Sequence, residues 1–600
     1  MLAGMFRMAA NRWTALALLA LVAGCRRGND AAEAAGSASA ELVGSAAAPA
    51  AAAPAATFGK NSVAEHVDNT GPMLGITSYA AIVYAEPRDT AKRIGYLRVG
   101  AKVARSEEAT SKKGCAGGWY EVQPKGFVCV GKDATLNLDD PILAAASRRP
   151  DLTAAMPYRY GFVRAVLPLY LRVPTEAEQL KSEMNLKEHL EWYETNKETV
   201  DKVSLGAFDV PLDDRGVPIP GKALGELGLQ KSSTELGLGA LFGGQGDDDA
   251  PPLWLAEGKR SIPNISDFVV PDYAVFADRA RRFTGLGLVG SFKAGSDSLD
   301  RRFAITTDLR LAPTTKLKPD TGSPWHGVEL ESEADLPLAF VREQGAVRYS
   351  LSDSDATRGQ EVEYSARVNL TGKQKRVAGE RYLATKDGDY VRASDVGVIV
   401  APSAWPKAAE AGEKWVEVCL SQQTLTLWEG KLAIYATLGS TGRRDHDTIT
   451  GTFRIRNKHI TATMDSDEKS ELGGSAPSTV AKKSSSDASK SKSKSGDADT
   501  KKAKIPTKGD GEYGITRRRG EGLYQLRDVP YIQYFASGFA LHAAYWHDVF
   551  GKKKSHGCVN LSPIDAHRVF MWTEPAVPEG WHGVNTGEEL GQGTTVIVHD

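Results

Sequence analysis

The sequence is poor in cysteine, almost without net charge, and its most apolar run is short. Lys and Arg number 74 against 75 Asp and Glu, a formal net charge of -1, so bulk electrostatics argue neither for a nucleic-acid partner nor for an acidic membrane-facing body. The run Trp13 to Val22 is too short to span a bilayer comfortably. The glycines between Gly237 and Asp249 lack the Lys-Ser/Thr that a phosphate cradle requires, and read as a solvated loop. Five cysteines in 600 residues are few enough for each to be given a role.

What is present divides the chain into several domains, because 600 residues exceed one hydrophobic core. Arg7 and Arg12 precede the apolar run, which ends in Val22-Ala23-Gly24-Cys25. This is an export signal over 1–25, and its end resembles the lipobox of bacterial lipoproteins. The resemblance implies acylation of Cys25, a lipid anchor and a periplasmic location, and the absence of Asp after Cys25 implies the outer membrane. Residues 26–66 are an Ala/Ser/Pro tether with little to bury.

Short strands and turns follow over 67–138, including Ala81-Ile82-Val83-Tyr84 and Gly126-Phe127-Val128-Cys129, and this stretch resembles a bacterial SH3-like barrel. Cys115 and Cys129 enclose Trp119 and Phe127; in an oxidising compartment a disulfide there contributes roughly 3 kcal/mol. Cys419, in a strand-like run, reads as a buried structural thiol. Residues 139–345 form a middle region of mixed α+β character. It contains one charged helix from Glu176 to Lys197, capped by Thr175 with Glu178 and carrying a core stripe of Leu180, Met184, Leu190 and Tyr193. A helical run over Ala277–Arg282 precedes Gly285-Leu286-Gly287-Leu288-Val289-Gly290, whose dinucleotide-like spelling lacks the strand that should lead into it. Phe303–Leu311 and Ala339–Arg342 read as strands. Residues 346–405 repeat the aromatic, Gly-aromatic-Val, Asp order of the first module and suggest a second SH3-like unit.

The last domain, 412–600, is interrupted by a low-complexity insertion at 465–511. Glu417–Leu427 alternates as one strand feeding a turn at Glu429-Gly430. The chemistry concentrates in Ser555-His556-Gly557-Cys558-Val559-Asn560, with His542 sixteen residues before the cysteine. A cysteine nucleophile needs a base and amide donors for the oxyanion, and a preceding glycine lets backbone N–H groups approach the reacting carbon. These landmarks resemble the L,D-transpeptidase catalytic family (YkuD-type), in which an upstream His precedes Ser-His-Gly-Cys, an apolar residue and Arg or Asn.

The resemblance implies a multidomain, mainly β protein ending in an L,D-transpeptidase-like β-sandwich with short helices. It implies that Cys558 attacks a carbonyl of a peptidoglycan stem peptide, that His542 is its base, and that His556 shapes the loop or assists proton transfer. Gly557 and Cys558 would supply oxyanion N–H groups. Ser555, Asn560, Trp546 and Tyr524 would line or fix the substrate site. No cofactor or metal is implied. The acyl acceptor is a second stem peptide, an amine on an outer-membrane protein, or water, which would make the enzyme a hydrolase; a wall-binding scaffold without turnover is the other class. Ala543 stands where the family usually has Gly or Ser, which matters only if that side chain orients His542. Asn560 lacks the charge an Arg would offer a carboxylate, for which Arg519, Lys554 and Arg568 are substitutes. A zinc cluster built from His542, His547, His556, Cys558 and His567 lacks Cys-x-x-Cys or His-x-x-x-His spacing.

Overall fold

The computed structural model describes residues 71–200, 202–203, 231–232, 250–265, 270–271, 273–320, 322–465 and 525–600. Cys25, the tether, the Gly237–Asp249 stretch, Arg519, Tyr524 and all but the first residue of the 465–511 insertion lie outside them. The described residues are mostly β, in several sheets.

In Met73–Ile76, Ala80–Tyr84 and Arg93–Arg98 the side chains of Leu74, Ile76, Ala81, Val83, Ile94 and Leu97 share one core; Ala80–Tyr84 alternates as a half-buried strand does, while the other two are buried in consecutive residues. Cys115 and Cys129 are bonded, with Cα atoms 5.8 Å apart. Trp581, from the far end of the chain, fills the same core and donates its indole N–H to Gln123 O at 2.8 Å. A side chain at Gly95 would meet the Trp581 ring at 2.5 Å, so this glycine is what admits the tryptophan.

The regions separate in sequence are joined in one sheet of 16 strands. Gln525–Ala536 pairs antiparallel with Asn457–Asp465, which pairs with Gly583–Asn585, which in turn meets Arg93–Arg98 at Gly95 and Tyr96. On its other side Gln525–Ala536 touches Gly285–Lys293 of the middle region at Gly285 and Leu526. Ala277–Arg282, expected as helix, contributes to the strand Phe276–Ala280, paired with Leu167–Tyr170, and Gly285–Gly290 lies inside a strand rather than in a phosphate-binding turn. Those glycines serve packing. A Cβ at Gly285 would strike Tyr545 Oη at 2.2 Å and one at Gly287 would strike Asp528 at 2.9 Å.

Asp528 ties the regions together at this seam. Its carboxylate accepts from Arg98 at 3.1 Å, Thr307 at 2.7 Å and Thr461 at 3.1 Å, and its carbonyl accepts from Tyr160 Oη at 2.7 Å. It adopts φ 55°, a left-handed conformation that Asp tolerates better than most residues.

The expected single helix at Glu176–Lys197 is two, Glu176–Ser182 and Leu186–Val200, parted where Asn185 takes φ 53°. Thr175 and Glu178 form the expected capping box. The buried face follows the apolar stripe only in part: Tyr193 is buried, but Met184 is 83% exposed, whereas Gln179, Glu183 and His189 are buried. Burial pushes the Glu183 carboxyl up, and Arg301 at 2.8 Å and Lys316 at 2.9 Å more than reverse this, holding it below its ordinary range. Further on, the strand Leu338–Val341 pairs with both Arg367–Val377 and Val396–Ile399, so the sheet of the second proposed unit begins before residue 346.

In the C-terminal region the stretch expected as one strand is a hairpin, Lys414–Cys419 and Thr424–Glu429, reversed around Gln423 at φ 58°. Its sheet of six strands includes Leu432–Leu438, Gly451–Arg454 and Thr595–His599. Val416, Leu425 and Leu427 from that sheet pack with Tyr531, Phe535, Leu541, Val559 and Leu561 from the facing strands and with Val569 and Phe570 of the helix Pro563–Trp572, giving a β-sandwich. Ser562 caps the helix by accepting from Asp565 N–H, with Pro563 at its first position. Its other end is closed by the buried Lys458, which donates to Phe570 O at 2.7 Å and Thr573 O at 2.6 Å. Cys419 is half-buried and faces Ser421 Oγ at 3.5 Å rather than being sealed in the core.

Candidate active site around Cys558 and His542

Two short parallel strands build the site. Phe539–Ala543 lies beside Val559–Leu561 with Leu541 against Val559, His542 against Asn560 and Ala543 against Leu561. Cys558 ends the loop that enters the second strand, so chain pairing alone sets Cys558 and His542 on neighbouring backbones. The half-buried Cys558 lies with Sγ 3.6 Å from Gly538 O at the turn before the first strand.

His542 is buried, and its Nδ1 lies 2.9 Å from Ala543 O. A carbonyl only accepts, so Nδ1 carries the proton and Nε2 keeps a lone pair, the form a general base needs. The backbone of Ala543, not its side chain, orients the ring, which makes the departure from Gly or Ser harmless. Trp546 is half-buried and stacks on His542 at 5.8 Å. Burial pulls His542 down to about 4, with the Ala543 carbonyl acting in the opposite sense. Burial pushes the Cys558 thiol up to about 11, opposed by the Ala540 N–H. Burial therefore favours the neutral form of both the thiol and the imidazole.

The Ser-His-Gly-Cys loop is held from within. Ser555 Oγ donates to Cys558 O and accepts the Gly557 N–H at 3.1 Å. Gly557 N–H is thus engaged inside the loop. Gly557 is needed for shape: its φ is 121°, and a Cβ would sit 3.0 Å from the Phe539 ring. Ser555 and Asn560 are buried, and Ser555 is hydrogen-bonded within the loop. Asn560 meets His547 Nε2 at 3.1 Å, while His547 Nδ1 accepts from Val549 N–H.

Arg443, which the sequence did not single out, donates to His556 Nε2 at 2.8 Å. Burial first, then Arg443, then His446 at a ring distance of 4.6 Å, hold His556 below its ordinary pKa. His556 is thereby a neutral ring with its proton on Nδ1. Of the residues considered to replace a missing arginine, Arg568 is buried and paired with Glu329 at 2.7 Å, and Lys554 is exposed. Tyr524 and Arg519 lie outside the described residues. Among the described residues no group of three His, Cys, Asp or Glu side chains could hold a metal ion.

Residues 413–598 match the family model of the L,D-transpeptidase catalytic domain, YkuD. That segment is an L,D-transpeptidase catalytic domain. Solved structures similar to the chain include a variant L,D-transpeptidase of Enterococcus faecium, at 16% identity over 31% of this chain and 49% of that one with a TM-score of 0.18. An L,D-transpeptidase of Stackebrandtia nassauensis shares 22% identity over 31% of this chain and 55% of that one, TM-score 0.17. One from Mycobacterium tuberculosis H37Rv shares 16% over 38% and 77%, TM-score 0.18. The chain spans about half the length of the first two. No curated protein matches.

Proposed function

We propose that the protein is a peptidoglycan L,D-transpeptidase in which Cys558 is the nucleophile and His542 the base. The observation that carries the reading is the register of His542 with Asn560 on paired strands, which brings the Nδ1-protonated imidazole next to the loop presenting Cys558 within a YkuD catalytic domain. Sγ attacks the carbonyl of the third stem residue. Its proton passes to His542 Nε2 and then to the leaving amine of D-alanine, and a thioester remains. An amine acceptor attacks the thioester, re-forms an amide and releases the thiol. The Cys558 N–H steadies the oxyanion in both steps. Cys25 carries lipid in this account and tethers the catalytic body in the periplasm, with the 67–138 module as an SH3-like scaffold; the sequence of the signal and the strand pattern support these assignments.

The test is product analysis by mass spectrometry with disaccharide-tetrapeptide, using wild type and Cys558→Ala. A cross-linked dimer with loss of D-alanine, absent from the variant, is expected. Tripeptide alone would replace transfer with hydrolysis, and unchanged substrate would leave a wall-binding scaffold.

A further inference from the structure

Arg443 occupies an unusual position for a cation at a catalytic loop. Its backbone is mounted on the motif: Arg443 N–H donates to Ser555 O at 3.0 Å, Ser555 N–H donates to Thr441 O at 3.1 Å, and Thr448 Oγ1 accepts from Gly442 N–H at 2.9 Å while donating to Gly557 O at 2.8 Å. Gly442 has no room for a side chain, since a Cβ would sit 2.0 Å from His446 O. The 441–448 loop is therefore a strap laid along Ser555–Gly557. The strap holds the half-buried guanidinium against His556 Nε2 at 2.8 Å, two residues from the nucleophile.

The charge of Arg443 is not spent on a carboxylate. Asp445 and Asp447 share its loop and are exposed, yet no ion pair among the described residues involves Arg443. The one bond to His556 uses a single N–H of five, and a guanidinium so placed has a fork left to receive a planar anion. Asn560, at the position where an arginine would otherwise stand beside the nucleophile, is buried and faces His547.

We propose that Arg443 is a specificity-determining residue that receives a carboxylate of the acyl donor close to the bond being broken. The inference rests on the peptide acyl-donor reading above. The carboxylate of the leaving residue and that of the residue attacked share this chemistry.

The closing experiment separates the two claims by using alkylation of Cys558 in the full chain, which needs no peptide turnover. Thiolate attacks the methylene carbon of iodoacetate or of the neutral iodoacetamide, a C–S bond forms, and iodide leaves. The iodoacetate to iodoacetamide rate ratio is read on the Cys558 peptide. It is expected to fall about fivefold in Arg443→Gln, with the iodoacetamide rate within about twofold of wild type, and to be kept in Arg443→Lys and Arg444→Gln. An unchanged ratio in Arg443→Gln, equal slowing by both reagents, or loss in Arg443→Lys as in Gln would overturn the proposal. With tetrapeptides amidated at either carboxylate, Arg443→Gln should raise KM about tenfold only for the donor retaining the carboxylate that Arg443 reads. Wild type that turns over no donor would end the transpeptidase reading, and the alkylation ratio would still decide for or against Arg443.

Discussion

Arg98 and Asp528, 430 residues apart, form a buried ion pair of 3.1 Å at the meeting of the N-terminal, middle and C-terminal regions. Asp528 lies in Gln525–Ala536, the strand that pairs directly with the His542 strand. The site is thus braced by residues from all three regions.

Removing one partner of that pair strands the other charge in a buried setting. Asp528→Asn keeps tolerance of the left-handed backbone but leaves Arg98 uncompensated, and is expected to cost about 3–5 kcal/mol. Arg98→Met with Asp528→Asn should cost less than the sum of the single changes. Urea midpoints of the three variants check this; additive losses would show that the pair does not brace the fold.

Stability should fall with acid. His542, at about 4, and His189, at about 3, are held down by burial, whereas in the unfolded chain each titrates near the ordinary 6.5. Above pH 6.5 neither state binds the proton; below it the unfolded chain takes up protons that the folded chain refuses. Stability contributed by each is present above pH 6.5 and is lost as pH falls toward about 4 and 3, roughly 2 kcal/mol apiece by pH 5. Denaturation at pH 7, 6 and 5 should show falling midpoints, and His542→Gln should flatten part of the slope. A flat profile would mean the rings are not kept neutral.

Because burial raises Cys558 to about 11 and lowers His542 to about 4, no thiolate–imidazolium pair is preformed. Iodoacetamide alkylation of Cys558 should climb about tenfold per pH unit from 7 to 9. A plateau starting below pH 7 would reveal a resting ion pair instead.

Gly557→Ala places a Cβ at φ 121° and 3.0 Å from Phe539. A cost of about 1–3 kcal/mol in loop conformation is expected, seen as a loss of kcat for acylation at nearly unchanged global stability. Full activity would show that the loop adopts its shape without glycine.

The candidate site was legible as a place because Ser555 to Asn560 is contiguous and His542 lies on the preceding strand, so the residues spelled together are also placed together. What was illegible depends on long-range pairing. Arg443 reaches His556 across 113 residues, and only the charged loop Arg443-Arg444-Asp445-His446-Asp447 hinted at it. Hydrophobic periodicity found the buried Tyr193 but misled at Met184, since the face that packs also carries Glu183 matched to Arg301 and Lys316, and an apolar stripe cannot register a buried salt bridge. Gly285 and Gly287 spelled a ligand motif but are small because Tyr545 and Asp528 occupy their side-chain space.

The most direct measurement is the intact mass of full-length protein quenched in acid during turnover of disaccharide-tetrapeptide, followed by mapping of the modified peptide. The account predicts a disaccharide-tripeptide thioester on Cys558, lost in Cys558→Ala, strongly reduced in His542→Gln, and retained in Cys419→Ser. An unmodified Cys558 in protein that still forms product, or an adduct on another residue, would contradict it.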